Sequence, residues 1–153
     1  MMDSFSFAVN QFAYTLALIT WVGCSFMALL AGPVIFKVSP NRKAAGDFNG
    51  LLLSRLNQIK YVCLIVASLT IFIRYVQWDA SGDADVTVRL TLLGIRAGAA
   101  LIFGLVVSPL TRRARAHTTV GGETTSAFKR LHGLAMLLFL IEITTGISIW
   151  FFN

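Results

Sequence analysis

The chain alternates long apolar runs with short polar ones. Ser4 to Phe36 passes 33 residues without a Lys, Arg, Asp or Glu, well beyond the roughly 20 apolar residues a helix needs to cross bilayer hydrocarbon. Three more runs follow, at about 56–78, 89–110 and 131–152, and each needs an allowance for an ionisable residue in it: Lys60, Arg96 and Glu142. Lys60, close to one end of its run, can send its ammonium to the interface along its flexible stem. Tyr75 and Trp78 mark the far boundary of that run, as amphipathic aromatics do at membrane surfaces. With the first span at about 10–36, the pattern predicts an all-α protein, an integral membrane antiparallel four-helix bundle, forming a single transmembrane domain over 1–153.

The polar connections set the expected orientation. Lys37, Arg42, Lys43, Arg55 and Lys60 fall between or beside the first two spans, and Arg112, Arg113, Arg115, Lys129 and Arg130 between the last two, which is ten of the 13 basic residues. The positive-inside rule then puts both loops in the cytoplasm, and the short acidic connection around Asp79, Asp83 and Asp85 outside with both termini. Pro40-Asn41, Ser81-Gly82-Asp83 and Gly121-Gly122 supply turn residues at the three connections. Pro33 and Pro109 lie near cytoplasmic helix ends, where a kinked last turn is tolerated, and Asp47 to Leu56 reads as a short interfacial helix before the second span. Asp3 stands where a cleaved leader would carry positive charge, so the first segment is expected to remain in the mature protein.

Composition narrows the function classes. Of 153 residues, 56% are hydrophobic and 13% charged, about half the usual charge of a soluble domain. The +6 net charge is confined to loop clusters between apolar runs, so nucleic acid is not an expected partner. Cys24 and Cys63 stand alone in apolar stretches without a zinc or redox spacing; with Met27 they are a faint Cu(I) set beside their ordinary role as core fillers. The two histidines, His117 and His132, cannot make a bis-histidine haem within the bundle. The acidic run lacks the EF-hand spacing, and GxSxG, HExxH and Walker patterns do not occur. The expectation is no cofactor, no metal and no enzymatic activity.

Charges within spans carry the sharper information. At about 1.5 Å rise per residue, Trp21, Ser68, Arg96 and Glu142 all fall within about 5 Å of the midplane. An unpaired charge there costs about 2.5 to 3.5 kcal/mol, so Arg96 and Glu142 are expected to form a buried charge pair, approached past Ala99, Ala100, Ala135, Thr145 and Gly146. That pair is either a structural pin fixing helix register or part of a transport or proton path. Asn57, Tyr61, Ser68 and Tyr75 return to one helical face at offsets of 4, 11 and 18, a polar stripe expected to point inward and bond between helices. Gly94 and Gly98 form GxxxG roughly opposite Arg96, suited to a close helix contact within the chain or between copies.

Several segments together resemble the four-span membrane proteins related to transmembrane protein 205. They are Trp21-Val22-Gly23, Gly32-Pro33-Val34-Ile35-Phe36, Arg55-Leu56 with Tyr61, Val107-Ser108-Pro109 and, most specific, Phe128-Lys129-Arg130-Leu131-His132-Gly133-Leu134. The resemblance covers nearly the whole chain and implies a small integral membrane protein whose activity is unsettled; it makes His132 the candidate motif site. Ala135 and Phe139 depart from the Ser and Asn the resemblance implies, which weakens a polar pore along the fourth span. A more distant likeness to copper-resistance membrane domains lacks the metal ligands. The expected role is membrane interaction or assembly, with the lipid bilayer and either a homo-oligomer or a membrane protein as partner. The alternative is a small transporter or permeability factor for a solute, metal ion or proton.

Overall fold

In the computed structural model of the protein, residues 2–78, 84–116 and 126–151 are described. They form α1 (Met2–Val38), α2 (Arg42–Gln77), α3 (Ala84–Ile102), a π-helical turn (Phe103–Val107), α4 (Ser108–Ala116) and α5 (Ser126–Phe151). α3, the π turn and α4 run as one continuous element, so the described residues contain four helices long and apolar enough to cross a membrane. The protein is an all-α four-helix membrane bundle.

Helix boundaries follow local chemistry. α1 ends where Ser39 N–H bonds Ile35 O at 3.0 Å, and α2 starts two residues after Pro40, with the Asn41 side chain accepting from Ala44 N–H at 2.8 Å. That is an ordinary Asn N-cap. The cap lets α2 run unbroken for 36 residues, about 54 Å, so the separate interfacial helix expected at 47–56 is instead the first part of α2. Pro33 sits inside α1 without ending it. Pro109 has a larger effect. It cannot donate to the carbonyl four residues back, and its ring crowds that carbonyl; the helix widens just before it, with Ser108 N–H bonding Phe103 O across five residues.

α1 packs along α2 and α5, and α3 along α5, while α2 and α3 touch sparingly. At one end Phe7 meets Trp78 edge to face, Gln11 Oε1 accepts from Arg74 at 3.0 Å, and Asn10 donates to Thr70 O at 3.0 Å. Ala17, Ala28, Ala67, Ala99 and Ala100 are buried at the helix contacts, where small side chains let backbones approach closely. Large apolar residues such as Phe12, Leu16, Phe72 and Leu105 point outward, which bilayer hydrocarbon accepts and water does not. The acidic residues Asp79 and Asp83, the turns at 81–83 and 121–122, and His117 lie outside the described residues.

Candidate functional site

The polar centre is built from all four helices. Trp21 and Ser25, one helical turn apart on α1, face α5, where Glu142 occupies the middle of its helix. The Glu142 carboxylate accepts from Trp21 Nε1 at 2.9 Å, from Ser25 Oγ at 2.5 Å and from Lys60 Nζ at 3.0 and 2.8 Å. Lys60 and Glu142 are an ion pair with side chains 1% and 0% exposed. The ammonium also lies 5.3 Å and 4.8 Å from the ring centroids of Phe103 and Phe139, within cation–π range.

This corrects the expected Arg96–Glu142 pair. Both residues are fully buried, but the partner of Glu142 is Lys60, and no guanidinium nitrogen of Arg96 has a hydrogen bond. Arg96 instead lies over the Trp21 ring, 4.3 Å from its centroid, while that same indole gives its N–H to Glu142. The indole therefore separates cation from carboxylate and connects them electrostatically. Gly146 makes room: a Cβ there would fall 2.6 Å from Arg96 Nη1 and 2.6 Å from Val22 Cγ2. The physical reason for the exchange is the length of α2: the helix begins at Arg42 rather than near residue 56, so Lys60 stands at its middle, level with Trp21, and not near one end of a span.

The polar stripe divides. Asn57 is buried and Tyr61 half-buried, both against the π turn, where a Cβ on Gly104 would collide with the Tyr61 hydroxyl and the Asn57 amide. Ser68 and Tyr75 are exposed and border a shallow groove of about 320 Å³ beside Leu90 and Leu93 of α3. The buried face of α2 runs through Lys60, Cys63, Ala67, Thr70 and Ile71. It lies about a quarter turn from the stripe at 100° per residue, so burial follows the residues facing α1 and α5 rather than the polar ones. Gly94 and Gly98 have open space before them: the GxxxG face is not used for packing within the chain.

A second feature opens at the basic end. A cleft of about 270 Å³ lies among Pro33, Asn49, Leu53, Arg112, His132 and Met136, with Phe103 and Phe139 on its inner side. These two rings, 4.6 Å apart, separate the cleft from Lys60. His132 is exposed and stacks parallel to Phe128 at 6.2 Å. Cys24 and Cys63 are buried free thiols, and no group of three His, Cys, Asp or Glu is placed to hold a metal among the described residues.

Sequence reasoning missed Lys60 and Ser25 at the centre. A Trp and a Ser four apart in the first span, opposite a lysine too deep to be wholly interfacial, is the signal that could have found them. Residues 16–119, more than half of the chain, match the family model described as Domain of unknown function (DUF4149). No curated protein and no solved structure matches.

Proposed function

This chain belongs to the family described as Domain of unknown function (DUF4149), and on that premise we propose that it is a non-enzymatic membrane binding and assembly protein. The observation that carries the proposal is the aromatic partition. Phe103 and Phe139 stand between a fully bonded Lys60–Glu142 pin and a preformed cleft, so the charge centre holds the helices while the cleft is left to bind. The unused Gly94/Gly98 face supports a homo-oligomer or membrane protein partner. Kinship with the proteins related to transmembrane protein 205 is part of the proposal. Its most specific segment, Phe128 to Leu134, lies beyond the matched residues. Purification in mild detergent, with the mass of the complex and its copurifying lipids and proteins identified, tests this role: a discrete complex is expected, and a monomer free of lipid and protein partners would contradict it.

A second reading, a small transporter or permeability factor, draws support from Arg96. Lys60 holds the Glu142 carboxylate while Arg96, buried beside the same centre, has no hydrogen bond, an arrangement in which the two cations exchange roles as helices move. Proteoliposomes would then pass a small ion or proton faster than empty vesicles.

The proposed orientation is N-out and C-out in a cell membrane, from the basic loops. With Cys24 and Cys63 replaced, Gly82→Cys should react with an impermeant thiol reagent in intact cells, and Gly121→Cys only after permeabilisation. The reverse pattern would invert the topology.

A further inference from the structure

The cleft at the basic end has the composition of a lipid site rather than of a solute pocket. Its walls are largely apolar, through Pro33, Phe36, Leu53 and Met136; its uncharged polar groups are Asn49 on α2 and Ser108 and Thr111 on α4, and its basic and imidazole groups are Arg112 on α4 and His132 on α5. Arg112 and His132 are exposed, and so are the neighbouring Lys37, Lys43, Arg113, Lys129 and Arg130. Among the described residues the acid at this end is Asp47. A cationic rim above an apolar hollow, at the level where a bilayer presents its phosphates, is complementary to one kind of molecule: phosphate at the rim, glycerol and upper acyl carbons against the walls.

We infer that this cleft binds the headgroup of an anionic phospholipid from the leaflet at the basic end, with Arg112 and His132 donating to its phosphate. The inference rests on the binding role proposed above and names its ligand. The volume of about 270 Å³ lies just below the about 300 to 1,000 Å³ of whole-ligand pockets, which suits a headgroup and its first carbons while the acyl chains remain in the bilayer.

The test uses the full chain, delipidated in mild detergent, titrated with phosphatidylglycerol or phosphatidylcholine of equal chain length and followed by native mass spectrometry and thermal unfolding. Phosphatidylglycerol is expected to be retained at least tenfold more tightly, and Arg112→Gln with His132→Gln to abolish that preference. Arg113→Gln, which removes a charge outside the cleft, should leave it intact. No preference, or a preference lost equally with Arg113→Gln, would overturn the site in favour of diffuse attraction. Equal protection by inorganic phosphate would also overturn it, the ligand then being a soluble phosphate compound. A discrete protein complex with no lipid selectivity would overturn this inference while leaving the assembly role standing.

Discussion

Glu142→Gln is expected to destabilise the bundle more than any other single substitution in the polar centre, by about 3 to 5 kcal/mol, the cost of leaving a buried charge without its partner. The change keeps the side chain's shape and removes its charge, so Lys60 and Arg96 would both stay buried with no carboxylate to offset them. Lys60→Met should cost less, because Arg96 then remains as a cation near the carboxylate. Arg96→Met should differ least, within about 1 kcal/mol: it gives up a cation–π contact of about 0.5 to 2 kcal/mol and removes an unbonded charge. Thermal unfolding in one detergent would rank the three. An Arg96→Met loss as large as that of Glu142→Gln would mean that Arg96 is the working partner.

Gly104→Ala is expected to have the next largest effect. A methyl group there meets the Tyr61 hydroxyl and the Asn57 amide, and overpacking of this kind costs about 1 to 3 kcal/mol. The π turn that Pro109 enforces brings Gly104 against α2, and α2 otherwise meets α3 only sparingly. Crowding at this point should therefore loosen one whole side of the bundle. Tyr61→Phe removes the nearest obstructing atom and should recover part of the loss, whereas Gly94→Ala, facing open space, should be tolerated. If Tyr61→Phe gives no recovery, the contact is not the cause.

The fold was readable from the sequence because bilayer hydrocarbon imposes a length and an apolarity that four runs satisfy almost without exception. The site was readable only in depth. Rise per residue located Trp21, Arg96 and Glu142 near one plane, and all three do converge there. Depth does not give rotation or side-chain direction, and those decided the partners. The apolar run also misplaced Lys60, because α2 begins at Arg42, well before that run, and carries Lys60 at its middle, where it meets the carboxylate, Phe103 and Phe139. Ser68 lies two helical turns along α2 from Lys60, about 12 Å by rise, and faces away, because α2 turns Lys60, Ala67 and Thr70 toward its neighbours. Asn57 and Tyr61 lie against Gly104, a neighbour that periodicity could not supply, since the contact depends on one extra residue in the turn before Pro109.

The most direct test of the account is a double-mutant cycle on Lys60→Met and Glu142→Leu, read by thermal unfolding in detergent. The double replacement should be more stable than Glu142→Leu alone, with a coupling of about 2 kcal/mol or more, since it leaves one stranded cation, Arg96, where Glu142→Leu leaves two. Additive losses, or coupling of Glu142 to Arg96 with none to Lys60, would contradict it.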